Sequence, residues 1–218
     1  IDPATVQRLA QEMYAAPAAV VYGRMGVSTQ AYGTLCHWLI QVANLYTGNL
    51  DRPGGALINE AAIPVTGPGT ARGNRARWHS RVRGLAEFAG ELPVAALREE
   101  ISTPGSGQVR AMLTCAGNPV LSTPDGSALD AALSGLDFYV AIDIYINETT
   151  RHADLILPPA SPLTQWHYDL IFNAFAVRRV ARLNAPMREL DARERADWQI
   201  LDGLGAALAQ ASGRAWSA

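Results

Sequence analysis

The residues best suited to chemistry sit in one stretch, Arg110 to Pro159, at the tips of short apolar runs. Gly117 lets a backbone approach a ligand closely, and Asn118 beside it offers both a donor and an acceptor. After Pro119, Ser122 and Thr123 present hydroxyls and free backbone N–H groups at a helix start, where an anion is favoured. Asp143 closes the next apolar run with a carboxylate that can accept from a ribose or a guanine edge. Asn147, Glu148 and Thr149 begin another turn beside it. Such parts suit a nucleotide, and the side chains of Asn118 and Asp143 are expected to converge on one opening. The same two residues would serve equally well as plain turn caps.

No constellation supplies a nucleophile with its base. Asp143 and Glu148 are acids near one presumed crevice, but nothing in the spacing sets them face to face as a glycosidase pair. His152 and Asp154 can pair, yet Asp154 better leads the strand that follows. The histidines (His37, His79, His152 and His167) and the two cysteines are scattered without metal-ligand spacing. Cys36 and Cys115 each read as a buried free thiol. Binding is therefore indicated more strongly than catalysis.

The elements that must position these residues are Val109–Cys115, Phe138–Ile142 and Asp154–Leu157, short β-rich runs almost free of charge. Runs of that kind suit strands buried on both faces of a parallel sheet. Between the first two, Thr123 can cap a helix whose first turn holds Pro124 and Asp125. The resulting crossover is right-handed, and ligands bind beyond the carboxyl ends of such strands. With Val20–Tyr22 as a further strand, the expected fold is α/β and Rossmann-like. It is a three-layer domain over residues 1–218, with a mostly parallel sheet, helices on both faces and a long irregular excursion at about 48–103.

Outside the central unit, Thr5–Ala16 has a helical apolar face and stops at Pro17. A Gly-containing loop from Gly23 to Gln30 leads into a helix ending near Tyr46, with Gly48 at its left-handed C′ position. That helix carries Leu35, Trp38, Leu39, Val42, Leu45 and Tyr46 on one face. In the excursion, Arg72, Arg75, Arg77, Arg81 and Arg83 lie near Trp78 and His79, a pattern that can grip a nucleic-acid backbone or simply meet a neighbouring domain. Glu91–Ile101 reads as a short helix, Ala160–Asp169 as an aromatic loop and Ile171–Leu183 as an irregular strand pair. Arg193–Ala211 reads as a helix with Trp198, Leu201, Leu204 and Leu208 inward and Gly213 as its stop.

Composition narrows the classes. With 218 residues, 49% hydrophobic and 17% charged, the chain is globular and not disordered. A net charge of −2 argues against a general nucleic-acid binder, and all 18 basic residues are Arg. No apolar run is long enough to span a bilayer and no signal peptide is visible, so a cytoplasmic location is expected. The chain reads as a piece cut from something longer.

Three stretches resemble the molybdopterin oxidoreductases of the dimethyl-sulfoxide-reductase superfamily, in that family's order. They are GRMGVSTQAYG leading to NLYTGNLDRPGGALI, then CAGNPVLSTPD, then DIYINETTRHADLILPPAS, with ARERADWQIL similar to the family's closing helix start. The resemblance implies an α/β domain that helps hold a bis(molybdopterin guanine dinucleotide) cofactor carrying molybdenum or tungsten. It implies that Gly117, Asn118 and Pro119 contact the guanine dinucleotide with Ser122 nearby, and that Asp143 lies at the nucleotide end. Glu148 and Thr149 would shape that turn, Gly23 and Gln30 would approach the pterin side, and Gly48 and Asn49 would hold the turn after the long helix.

The family's iron–sulfur cysteines and metal-binding residue lie upstream of the matched region, and its C-terminal β-barrel is also unmatched. Further domains of the same polypeptide and electron-transfer subunits are therefore the expected partners, and the chain alone is expected to turn nothing over. The alternatives are the related domain of an NADH:quinone oxidoreductase large subunit without the metal cofactor, the middle domain of a thiamine-diphosphate enzyme, and a pure interaction module.

Overall fold

A computed structural model describes residues 1–64 and 75–216 of the chain. In chain order the helices are α1 (Pro3–Ala15), α2 (Met25–Ser28), α3 (Gly33–Tyr46), α4 (Leu97–Ser102), α5 (Pro119–Ser122), α6 (Gly126–Leu133), α7 (Leu170–Ala174) and α8 (Asp197–Ala211). The strands are β1 (Arg75–His79), β2 (Ala86–Phe88), β3 (Ala111–Cys115), β4 (Phe138–Ile142), β5 (Leu155–Ile156), β6 (His167–Tyr168) and β7 (Leu183–Asn184). Two compact units divide these elements. The first is Ile1–Gly67 with Tyr168–Leu183, and the second is Pro68–His167 with Asn184–Ala218.

The second unit has the expected α/β architecture. Strands β3, β4 and β5 form a parallel sheet in that order, with Ala111 to Cys115 in register against Phe138 to Ile142. One face is covered by α4 and α6, whose Ile101, Leu129, Ala132 and Leu133 form a buried cluster joined by Met112 and Val120. Tyr139 is fully buried, and its hydroxyl meets that of Thr114 at 2.8 Å, so no polar atom of that ring is left dry and unpaired. On the other face Val140 and Ile142 are buried, while Leu113 of the edge strand is 48% exposed. Asp154 does lead its strand, accepting from the Tyr139 amide at 2.8 Å.

The helix after β3 does not start at Thr123. Asn118 and Pro119 open the short α5, and the Thr123 hydroxyl closes it by donating to the Pro119 carbonyl at 2.7 Å. The chain then turns through Asp125 in the left-handed region (φ 58) before α6 begins. Glycine is required next, because a Cβ on Gly126 would lie 2.0 Å from the Val120 carbonyl oxygen.

Val20–Tyr22 is not a strand. The amide of Val21 donates to Asn44 Oδ1 and its carbonyl accepts from Asn44 Nδ2, both at 2.9 Å. A buried side-chain amide thus replaces the neighbouring strand that would satisfy this backbone. In the same unit Gly48 (φ 69) ends α3 as expected, with Gly48 N–H to Leu45 O and Asn49 N–H to Asn44 O forming a Schellman turn. Most of the apolar face of α3 is exposed. Its buried residues are Gly33 and Asn44, while Trp38 is 61% exposed.

The excursion is more ordered than its composition suggests. Antiparallel β1 and β2 form a hairpin, and α4 fills part of the predicted Glu91–Ile101 helix. Three of its arginines pair with glutamates: Arg77 with Glu87, Arg81 with Glu100 and Arg83 with Glu99. Arg77 also lies over Trp78 at 4.6 Å. Arg72 falls outside the described residues. Ile171–Leu183 is no strand pair, since Asp169 caps a helical turn there by accepting from Phe172 N at 2.9 Å. Helix α8 begins at Asp197, and Gly213 (φ 66) stops it, but Trp198, Leu201 and Leu208 are exposed and Ala209 is the buried residue. Among the described residues no helix is long and apolar enough to cross a membrane.

Candidate functional site

The carboxyl ends of β3 and β4 open onto a cleft of about 420 Å³. Cys115, Ala116, Ile142, Asp143 and Ile144 supply the strand-tip side. The returning chain supplies Pro159, Ala160, Pro162, Gln165, Trp166 and His167, and the start of α8 supplies Asp197 and Trp198. This is the position at which open parallel sheets bind ligands. Its volume falls within the range of about 300–1,000 Å³ usual for small-molecule sites. At the rim, Ala116 takes a left-handed conformation (φ 51), which turns the chain away from β4 after its amide has donated to Ile142 O at 2.9 Å.

Two carboxylates reach this cleft. Asp143 Oδ1 accepts from the amides of Ile144 and Tyr145 at 2.6 and 3.1 Å, so one oxygen caps the turn. Asp197 Oδ1 accepts from the Trp198 amide at 2.8 Å. Cys115 is exposed and not buried as expected, because β3 is an edge strand. Desolvation by its surroundings pushes the thiol pKa up, and the negative charges of Asp197 and Asp143 push it further. The cleft therefore disfavours a thiolate and carries an anionic wall.

Asn118 is not brought to Asp143. Its side chain joins a second cluster on the loops leaving the same strand ends. Asn118 Nδ2 donates to Glu148 Oε2 at 2.8 Å, and the hydroxyl of Thr149 donates to Asn118 Oδ1 at 2.7 Å. Thr149, fully buried, also accepts from the Val120 amide at 3.0 Å. The Ser122 hydroxyl donates to the Asn118 carbonyl at 3.0 Å. The Asn118 amide holds the Glu148 carboxyl below its usual range, aided by a backbone amide and by Arg151. Pro119 opens α5, and a Cβ on Gly117 would meet only ordinary contact at 3.8 Å. Gly117 is thus not demanded by packing.

The residues predicted from the first unit have local structural partners. A Cβ on Gly23 would strike Ile40 at 2.7 Å, and Gln30 Nε2 folds back onto Gly26 O at 3.0 Å. Buried Asn49 donates to the Thr47 hydroxyl at 3.0 Å, and Gly55 is needed because its Cβ would lie 2.1 Å from the Asn49 carbonyl oxygen. Cleft residues missed from sequence are Cys115, Trp166, Asp197 and Trp198. A signal existed for the last two, an Asp-Trp pair at a helix start after a charged turn. Among the described residues no group of three or more His, Cys, Asp or Glu could hold a metal ion.

Residues 5–207 match the family model described as molybdopterin oxidoreductase. The chain is similar to the assimilatory nitrate reductase catalytic subunit of Bacillus subtilis (strain 168), 27% identical over 87% of this chain and 24% of that protein. It is also similar to the nitrate reductase of Klebsiella oxytoca, 28% identical over 94% of this chain and 25% of that protein. A third relative is the arsenate respiratory reductase molybdopterin-containing subunit ArrA of Shewanella sp. (strain ANA-3), 29% identical over 72% of this chain and 20% of that protein. The chain thus spans about a quarter or less of the length of these curated relatives. A family match running from α1 into α8 takes in the sheet, its cleft and both polar loops, and the chain belongs to the molybdopterin oxidoreductase family.

Proposed function

We propose that the α/β unit holds the nucleotide end of a molybdopterin guanine dinucleotide, within a molybdenum- or tungsten-dependent oxidoreductase that carries out a two-electron reaction on a small substrate. The cleft beyond β3 and β4 carries this reading. Its floor is apolar, Trp166 and Trp198 offer flat surfaces for a purine, and Asp143 and Asp197 offer carboxylate oxygens. Guanine presents two adjacent donors, the N1–H and the 2-amino group, which a carboxylate can accept together. Adenine presents an acceptor at N1, where a carboxylate would repel it. The residues present therefore fit the guanine end of the cofactor.

In this reading Asp143 and Asp197 fix the base, and the tryptophans exclude water from it. Gly117 to Pro119 let the dinucleotide backbone pass close to the chain, while Asn118, Ser122, Glu148 and Thr149 hold the flanking loops. Gly23, Gln30, Gly48 and Asn49 belong to the pterin side. When bound, the cofactor supplies the redox chemistry at its metal. An iron–sulfur cluster, the metal ligand and further domains belong to other parts of a longer polypeptide, with electron-transfer subunits as partners and a cytoplasmic location.

Calorimetric titration of the 218-residue chain with GDP and with ADP tests the proposal. GDP is expected to bind at least about tenfold tighter, the effect of one well-placed polar pair. Asp143→Asn with Asp197→Asn is expected to abolish the preference. Equal affinity for the two nucleotides, or binding of neither, would overturn it.

A further inference from the structure

We infer that Asp130, on α6, is the positioning residue for the turn that carries Glu148 and Thr149; its role toward a ligand rests on the cofactor reading above. The turn is well bonded internally. Asn147 Oδ1 accepts from the amides of Thr149 and Thr150 at 2.9 Å each, and the Thr150 hydroxyl donates to Tyr145 O at 2.8 Å. Those bonds fix its shape and not its place. On one side Thr149 ties it to Asn118 and Val120. The other side is held by the two residues that follow, and both converge on Asp130.

Arg151 Nη2 donates to the two oxygens of Asp130 at 2.7 and 2.6 Å, and His152 Nε2 lies 2.6 Å from Oδ1. Ser134, one helical turn beyond Asp130, approaches His152 Nδ1 at 3.4 Å and steadies the ring from behind. The same helix buries Leu129, Ala132 and Leu133 in the core, so Asp130 is mounted on an anchored element. His152 and Arg151 together hold the Asp130 carboxyl below its usual range, as expected for an acceptor saturated with donors.

The clamp has a second effect. Arg151 acts on Glu148 as well as on Asp130. While Asp130 occupies the guanidinium, Glu148 is left to Asn118, which keeps the two strand-tip loops joined. Without the Asp130 charge, Arg151 is free to turn to Glu148 and displace the Asn118 amide. Glu148 would then be drawn off the loop that follows β3, and the two walls of the site would part.

The test compares the wild-type chain with Asp130→Asn, which keeps shape but sets an amide against two donors, and with Asp130→Glu, which restores the charge. Amide hydrogen exchange is read at Thr149 and Thr150 and, as an internal control, at Val140 and Ala141 of β4. In Asp130→Asn the turn amides are expected to exchange about tenfold faster or more, with β4 unchanged and GDP binding about tenfold weaker. Asp130→Glu is expected to recover part of both. The pair Arg151→Gln with His152→Gln removes the same bonds from the other side and should reproduce the faster exchange at Thr149 and Thr150 even if Asp130→Asn folds poorly. Unchanged exchange at Thr149 and Thr150, or a rise shared equally by β4, would overturn the inference. If the wild-type chain binds no GDP, the cofactor reading falls, while the exchange comparison still decides the clamp.

Discussion

Replacing Thr149 with Val removes one hydroxyl from a fully buried site and leaves nearly the same volume. No cavity forms, so the cost comes from hydrogen bonding alone. The Val120 amide loses the acceptor at 3.0 Å, and Asn118 Oδ1 loses the donor at 2.7 Å. Val120 lies in the first turn of α5, where an amide has no partner within its own helix. Asn118 is half-buried and can recover a bond from water, so its loss is the smaller. One stranded donor at about 1–2 kcal/mol and one weakened bond at about 0.5–1 kcal/mol give a destabilisation of about 1.5–3 kcal/mol. Urea denaturation followed by circular dichroism measures it, with Thr149→Ser expected within about 1 kcal/mol of wild type. A double-mutant cycle with Asn118→Ala should show coupling of about 1 kcal/mol, since both changes break one network. Thr149→Val within about 0.5 kcal/mol of wild type would refute the reasoning.

Gly126→Ala forces a Cβ to 2.0 Å from the Val120 carbonyl and is expected to cost about 1–3 kcal/mol in the same denaturation assay. Glu87, fully enclosed and held below its usual range chiefly by Arg77, contributes stability above the ordinary carboxyl range that disappears as pH falls through its lowered value. Glu87→Gln should therefore be less stable than wild type at pH 7, and melts taken down the pH scale should show the difference closing. Cys115, with its pKa raised, should react slowly with iodoacetamide near neutrality and faster as pH rises, and Asp197→Asn should speed the reaction at fixed pH. On the proposed placement of the nucleotide, GDP should protect this thiol, which lines the cleft.

The parallel unit was legible because β4, its middle strand, follows a simple rule. Phe138 to Ile142 is apolar and uncharged, and four of its five residues are buried. Val20 to Tyr22 has the same local look, but its fate was set by Asn44, 23 positions beyond Val21, and no pattern within the run can reveal that partner. The Thr123 cap failed for a similar reason. Asp125 in a left-handed conformation and the close passage of Gly126 by Val120 divide what reads as one helix start into two short elements. The arginine cluster carried no sign of its glutamates because each pair spans 10 to 19 positions, as Arg77–Glu87 and Arg81–Glu100 show. At the site, Asp143 was legible as an acid closing a strand, and it does line the cleft, whereas Glu148 does not. The aromatic wall from Trp166 and Trp198 depended on the chain's return path, which local spacing does not encode.

The exposed face of α3 has a practical side. From Met25 to Leu50 the chain carries no charged residue, and Leu35, Trp38 and Leu45 of the helix are all exposed. A solvatochromic dye that brightens on apolar surface should therefore glow in the folded chain, before any heating. In a dye-reported thermal scan the signal would begin high and rise little at the transition, giving a shallow curve for a cooperative event. Tryptophan emission would be equally muted, since Trp38, Trp166 and Trp198 already face water when folded. Calorimetry or far-ultraviolet dichroism, which report enthalpy and backbone order, would see the same transition at full amplitude.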